Sequence, residues 1–165
     1  MGGLVAVVDS DMDGALVRLD FARPDDTVGA DTWRGLDVEW DDTAAAHVLS
    51  QVEEYFAGTR RVFDLPLAQP YGGAFDHEVW RELPRLAPFG ATVTYGEIAA
   101  RLGRPGAARA VGRANATNPI SLVVPCHRVV GAGGRLVGYG GGEGVATKRA
   151  LLNHEALHAD DLFRS

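Results

Sequence analysis

The chain has 165 residues, 46% of them hydrophobic and 23% charged, which suits one domain or two small lobes and argues against disorder. No run approaches eighteen uncharged apolar residues, so a membrane-spanning helix is excluded, and Asp9 interrupts the N-terminal apolar stretch too early for a secretory signal. The single cysteine, Cys126, rules out an internal disulfide and a multi-cysteine zinc site. The expectation is a cytoplasmic globular protein with one free thiol and no membrane partner. The net charge of −6 is unevenly spread: residues 1–74 carry 5 basic and 14 acidic side chains, residues 75–165 carry 11 and 8. Between 101 and 149, eight basic residues stand against Glu143 alone. That asymmetry fits an acidic lobe joined to a basic, nucleic-acid-binding surface; arginines solvating a helix face are the alternative.

In chain order, Leu4–Val8 and Ala15–Phe21 are strand-like, the second alternating Leu16, Arg18, Asp20 against Val17, Leu19, Phe21. The acidic stretch from Pro24 to Asp42 reads as loop, with room for a short strand. Thr43–Ala57 is helical, with Val48, Val52, Tyr55 and Phe56 on one face and Gly58 as its stop. Arg61–Leu67 has the composition of a strand, and Pro66 to Ala74 that of a linker. A lobe boundary is expected near residue 73. Phe75, Val79, Leu83 and Leu86 recur at helical spacing, with Pro84 expected to kink or end the helix. Thr94 and Glu97 form a capping box opening a short helix that Gly103 stops. After the turn at Arg104-Pro105, the small residues of Gly106–Asn115 predict a second helix, making a helix-turn-helix. Ile120–Val124 reads as a buried strand, glycine turns span 131–144, and Val145–Glu155 is the last helix. The fold class is α+β: a small N-terminal α/β lobe with a short sheet over 1–73, then a mainly helical domain over 74–165 holding the helix-turn-helix and the cysteine.

Cys126 sits in Pro125-Cys126-His127-Arg128. A thiol reacts as thiolate, and an adjacent base or cation raises the thiolate fraction. A lone cysteine in an apolar setting is also read as a small buried hydrophobe, and at this point both readings stand. A histidine acting as base needs an orienting carboxylate, for which Glu155 and Glu143 are the candidates. His154 and His158 read as core or surface histidines, and the five histidines show no metal-ligand spacing. Gly138-Tyr139-Gly140-Gly141-Gly142 is either a hinge or a backbone that approaches a ligand closely. It is not a P-loop, because no Gly-Lys-Ser/Thr follows.

Four ordered motifs surround Cys126: Thr94-Tyr95-Gly96-Glu97-Ile98-Ala99, Gly106 to Gly112, Asn118-Pro119-Ile120 with Pro125 to Gly131, and Gly138-Tyr139 with Gly141-Gly142. With Lys148 and Leu151-Leu152-Asn153-His154-Glu155, this set resembles the O6-alkylguanine-DNA alkyltransferases closely over 75–158 and more weakly over 1–74. The resemblance implies direct-reversal DNA repair: an O6-alkylguanine flips out of double-stranded DNA and its alkyl group passes irreversibly to Cys126, once per molecule. It implies that Glu155 orients His127, that His127 takes the thiol proton through a water, and that Tyr95 donates to guanine N3. Asn118 is expected to hold the helix-turn-helix against the active-site turn. Val129 and Cys126 are expected to accept from the exocyclic amine and Gly140 to donate to O6, with Tyr139 and Lys148 also at the substrate. Arg109 is expected to fill the vacated stack from the minor groove, with Ala108, Gly112, Thr94 and Arg128 at the DNA. No cofactor and no metal are expected, and the free protein is expected to be a monomer.

Some positions depart from the family pattern. Pro84 and Pro88 bracket a usually continuous helix, and the chain looks about two residues longer between Gly142 and Lys148. A DNA-binding module that keeps Cys126 only as packing, and a thiol hydrolase using Cys126, His127 and Glu155, are the competing functional classes.

Overall fold

The computed structural model describes residues 4–21, 43–69 and 71–159. The acidic loop expected between Pro24 and Asp42, and Pro70 of the linker, lie outside the described residues. Strands β1 (Leu4–Asp9) and β2 (Ala15–Phe21) form an antiparallel hairpin. The Asp9 carboxylate accepts from the Asp11 N–H to start the turn, and Asp13 and Gly14 complete it with φ of 56° and 69°. Short polar residues and glycine tolerate that left-handed region.

Strand β2 does not alternate as its sequence suggests. The register shifts between Val7 and Val8, which leaves Val17 as the extra residue. Leu16 therefore faces the main core with Leu19 and Phe21, while Ala15 and Val17 pack with Ala68 on the other side. The far edge of β2 holds two segments. Leu16 exchanges backbone hydrogen bonds with Pro66 and Ala68, and Leu19 does so with Pro119 and Ser121.

The strand expected over Arg61–Leu67 is reduced to a single bridge at Leu67. Pro66 has no N–H for a ladder, and Asp64 gives its backbone groups to the Gln51 carboxamide, at 2.9 and 2.7 Å. Ile120–Val124 is buried as expected except at Val123, but it forms one bridge followed by turns instead of a strand. Leu122 is fully buried with φ of 73°, a backbone conformation that costs a non-glycine residue about 1–2 kcal/mol. That strained turn leads straight into Cys126.

Helix α1 (Ala46–Phe56) buries Val48, Val52 and Tyr55 and ends before Gly58. Gly58 has φ of 76°, and a Cβ there would lie 2.0 Å from the His158 ring. Helix α2 (Ala74–Leu86) runs through Pro84 and is not ended by it. Pro84 lies in the last turn, so it removes only one hydrogen bond, while burial of Val79, Trp80 and Leu83 anchors the helix. The helix-turn-helix consists of α3 (Tyr95–Arg101) and α4 (Ala108–Ala116), and β3 (Val93–Thr94) leads into it. Thr94 accepts from the Glu97 N–H at 3.2 Å while Glu97 accepts from the Thr94 N–H at 2.7 Å, completing the expected capping box. Strand β4 (Val129–Val130) pairs parallel with β3, tying the segment after Cys126 to the start of the helix-turn-helix. Helix α5 (Val145–Ala159) extends four residues beyond the expected end.

The architecture is α+β, and one apolar core runs through both halves. Leu16, Leu19, Val48 and Tyr55 pack in the same cluster as Trp80, Ile98, Val111, Val129 and Leu151. Each such side chain adds roughly 1.5–3 kcal/mol of transfer free energy when fully buried. Among the described residues no helix is long and apolar enough to cross a membrane. Trp80 locks α2 to α4, donating from Nε1 to the Ala114 carbonyl at 2.8 Å. Trp80→Ala should lower unfolding free energy by about 3–5 kcal/mol in urea denaturation, because it opens a cavity and orphans that carbonyl.

Candidate active site

Cys126 opens a short 3-10 turn, Cys126–Arg128, which places three consecutive buried side chains at the centre of the molecule. The turn presents Cys126, 7% exposed, to a cavity of about 440 Å³ and sends His127 inward towards α5. On α5, Lys148, Leu151 and Glu155 recur at helical spacing and are all buried, so one face of the helix lies against the turn.

Glu155 is the hub. Its Oε1 lies 2.8 Å from His127 Nε2, accepts from Tyr55 Oη at 2.8 Å, and accepts from Arg128 at 2.8 and 3.0 Å. Its Oε2 accepts from Arg128 Nε at 2.9 Å and from the Gly90 N–H at 3.0 Å. Burial alone pushes the carboxyl up, but the hydrogen bonds from His127 and Arg128 and their charges outweigh it and hold the group at about 2. An ionised Glu155 makes Nε2 the protonated nitrogen of a neutral His127. Its Nδ1 is then left as the lone-pair acceptor. Nδ1 is buried and has no hydrogen-bond partner among the described residues. Burial also holds His127 below its usual range, so the ring is neutral at pH 7.

Burial pushes the Cys126 thiol up, with a hydrogen bond from Asn118 and the Lys148 charge pulling the other way. The resting group is therefore a thiol that needs a base. Asn118 donates to the Val124 carbonyl at 2.9 Å and accepts from the Ile120 N–H at 3.0 Å, bracing the turn before Cys126. Lys148 is buried and donates to the carbonyls of Val137 and Gly138 at 2.9 and 3.1 Å. The Tyr95 hydroxyl donates to the same Val137 carbonyl at 3.4 Å. These two residues pin the glycine loop beside the sulfur. Burial, and then the nearness of Cys126, raises the Tyr95 phenol, which stays a neutral donor at pH 7. Gly140 and Gly141 line the cavity, whereas Val129 is fully buried in β4 and Tyr139 is half-buried against the core. A Cβ at Gly141 would fall 3.0 Å from the Tyr139 ring and 3.2 Å from the Phe21 ring, so a side chain there would press on both.

The expected DNA contacts divide. Arg109 is exposed on α4 and makes no ion pair among the described residues. Ala108 and Gly112 share that helix, and a Cβ at Gly112 would stand in ordinary contact with the Tyr95 ring, 3.9 Å away. Thr94 uses its hydroxyl in the helix cap. Arg128 is a correction: it is 4% exposed, and its guanidinium is engaged by Glu155 and the Ala87 carbonyl. A charged side chain beside a buried carboxylate is drawn inward, where it neutralises the charge that Glu155 brings to the core. Glu143, the other candidate orienter, is exposed, and the carboxylate bonded to His127 is that of Glu155. His154 and His158 are structural: His154 Nε2 donates to the Tyr55 carbonyl and His158 Nδ1 to the His154 carbonyl, each at 2.8 Å. Tyr55 is the member of the site that local motifs miss. It lies 100 residues from Glu155, and its sequence signals are a buried helix face and the weak family likeness of Glu54-Tyr55-Phe56-Ala57-Gly58, neither of which points to the carboxylate.

A buried cysteine whose chain neighbour is a histidine paired with an ionised glutamate, in a core shared with a helix-turn-helix that carries an exposed arginine, suits thiol-dependent group transfer. Residues 74–157 match the family model described as the DNA-binding domain of 6-O-methylguanine DNA methyltransferase. The methylated-DNA–protein-cysteine methyltransferase of Mycolicibacterium paratuberculosis is 51% identical over 116 residues, 70% of this chain and 68% of that protein. The Salmonella typhimurium protein of the same name is 53% identical over 105 residues, 64% of this chain and 60% of that one. The crystal structure of Mycobacterium tuberculosis OGT in complex with DNA superposes with a TM-score of 0.79 at 39% identity, covering 98% of this chain and 94% of that chain. The chain belongs to the methylated-DNA–protein-cysteine methyltransferase family, and its activity is that of a DNA-repair cysteine methyltransferase.

Glu155→Gln should cost about 3–5 kcal/mol at pH 7, because Arg128 would keep its buried charge without a counterion. The folded carboxyl titrates at about 2 and the ordinary one at 4.5, so its stabilisation is complete above 4.5 and is lost as pH falls towards 2. Urea denaturation across that range should show the gap between wild type and variant closing.

Proposed function

We propose that this protein repairs O6-alkylguanine in duplex DNA by a single irreversible transfer of the alkyl group to Cys126. The observation that supports the reading is the pair adjoining Cys126 in the buried turn: His127 Nε2 lies 2.8 Å from Glu155 Oε1, and Nδ1 is buried with no hydrogen-bond partner among the described residues. The target atom is inaccessible inside the stack, so the base rotates out at a cost of a few kcal/mol. Arg109 enters from the minor groove and fills the gap, while Ala108 and Gly112 allow close approach of α4.

At the sulfur, His127 accepts the thiol proton through a water on Nδ1, and the thiolate displaces the alkyl carbon from O6. The carbon–oxygen bond breaks with its electron pair going to guanine, and the sulfur–carbon bond forms. Guanine recovers the equivalent of the thiol proton, with Tyr95 donating at N3 and the Gly140 N–H at O6 while the charge develops. Backbone groups of Cys126 and Val129 accept from the exocyclic amine. Lys148 and Tyr139 act from the loop side, Lys148 by holding the Val137 and Gly138 carbonyls. No cofactor enters, since guanine is itself the leaving group. The thioether has no route back to thiolate, so each molecule reacts once. The protein works as a monomer in the cytoplasm.

Mass spectrometry after mixing with duplex DNA carrying O6-methylguanine tests this reading. One added methyl on Cys126, and none in Cys126→Ala despite retained DNA binding, is the expected result. An unmodified Cys126 would favour the DNA-binding module, and repeated turnover on an ester would favour the hydrolase. Arg109→Ala should slow transfer in duplex DNA at least tenfold while changing the rate on free O6-methylguanine little, because a free base has no stack to vacate. Equal losses in single-turnover assays on both substrates would place Arg109 at the pocket instead.

A further inference from the structure

The transfer to Cys126 assigns no role to Tyr55, yet its hydroxyl reaches the carboxylate behind His127. The side chain is fully buried, and Oη donates to Glu155 Oε1 at 2.8 Å. That is the oxygen that lies 2.8 Å from His127 Nε2, so phenol and imidazole share one acceptor atom. Packing encloses the phenol ring. Phe56 and Phe89 meet it edge-on at 5.1 and 5.8 Å between centroids, Phe63 stacks on it at 5.7 Å, and the His154 ring lies 5.1 Å away. The Tyr55 carbonyl also accepts from His154 Nε2 at 2.8 Å, so α1 is tied to two consecutive residues of α5. Burial, and then the Glu155 charge, pushes the phenol well above its ordinary value, and at neutral pH it is a neutral donor.

A hydrogen bond donated to a carboxylate stabilises its charge, so each further donor weakens what the group offers an imidazole bound to it. His127 shares Glu155 with Arg128, with the Gly90 N–H on Oε2, and with Tyr55. Arg128 brings a full charge and Gly90 acts through its backbone, whereas Tyr55 is a neutral side chain on the same oxygen as His127. We propose that Tyr55 is a positioning residue for alkyl transfer: acting through Glu155, its hydroxyl holds Oε1 against the imidazole and sets how much of the carboxylate charge His127 feels. The proposal rests on the reading that His127 takes the thiol proton, and adds to it a control from the first half of the chain. The other titratable groups around the pair are Arg128 and Cys126 on the turn, Lys148 and His154 on α5, Tyr139 on the glycine loop, and Asp20 of β2, which acts on Cys126. Removing the Tyr55 hydroxyl changes the charge of none of them. Oε1 then carries more charge towards Nε2, a protonated His127 is better stabilised, and the neutral base is lost at higher pH.

Tyr55→Phe keeps the ring and deletes only the donor. The functional readout is single-turnover methyl transfer from duplex O6-methylguanine at saturating DNA, followed by mass spectrometry of Cys126 between about pH 5 and 8. The ratio of variant to wild-type rate should fall roughly three- to tenfold from the alkaline to the acid end, as a shift of about half a pH unit to one in the His127 titration produces. Affinity for the duplex should not change, since Tyr55 is fully buried. The His127 Nε2–H proton resonance at pH 7 is a direct second readout, and it should move downfield in Tyr55→Phe as the bond to Oε1 strengthens. Replacing Tyr55 with 3-fluorotyrosine, whose more acidic phenol is a stronger donor, should move it upfield, and this arm decides the matter if Tyr55→Phe does not fold. A rate ratio that stays constant with pH overturns the proposal and leaves Tyr55 a packing residue. So does a resonance that fails to follow donor strength at position 55. If the wild type transfers no methyl at all, the underlying reading fails and this one with it. Normal methyl transfer with either null result overturns this proposal alone.

Discussion

The reaction centre depends on one buried carboxylate. Glu155 brings a negative charge to a position with no solvent exposure, and the surrounding structure has to compensate for it. It does so with four donors from three parts of the chain: Tyr55 from α1, the Gly90 N–H, and His127 and Arg128 from the turn that Cys126 opens. The same set that stabilises the charge also fixes the imidazole. An ionised Glu155 orients Nε2–H and leaves Nδ1 free to accept, so folding and the protonation state of the base are one arrangement. Arg128 opposes protonation of His127 while Glu155 favours it, and burial keeps the ring neutral.

The first half of the chain is part of this machinery. Strand β2 bonds to Pro119 and Ser121 and so braces the turn that delivers Cys126, and the extra residue at Val17 resets which side chains face the core. After that reset Arg18 and Asp20 border the cavity. Helix α1 supplies Tyr55, whose ring packs against Phe63 and Phe89 while its hydroxyl reaches Glu155. The acidic half and the basic half share a core as well as a chain.

The second half links surface to site through α4 and the β3–β4 pair. Arg109 lies exposed near the start of α4, and Asn115 is buried near its end, bordering the cavity. One short helix thus joins the exposed face of the helix-turn-helix to the wall beside the sulfur. The parallel pairing of Val93 with Val129 holds the same two regions in register. Leu122, buried with positive φ, shows that the turn before Cys126 is held in an unfavourable conformation by its surroundings.

Where a signal was local, the sequence carried it. The Thr94–Glu97 cap, the hairpin strands, the stop at Gly58, the spacing that puts Lys148 and Glu155 on one helix face, and the cysteine with its adjacent histidine all depend on a few neighbouring residues. The ordered motifs around Cys126 likewise pointed to the family. What only the tertiary structure decided depends on contacts between distant segments. Composition suggested strands at Arg61–Leu67 and Ile120–Val124, but a strand needs a partner edge, and β2 offers each segment only one bridge. Pro84 suggested a helix end, but in the last turn it loses little and the buried face of α2 outweighs it. Arg128 looked like a DNA contact in a basic stretch. Burial of Glu155 turned it inward, and no pattern within its own segment records a carboxylate 27 residues away. Tyr55 and Asn115 read as ordinary helix residues for the same reason, since burial and hydrogen-bond satisfaction are properties of the packed chain and not of any window of it.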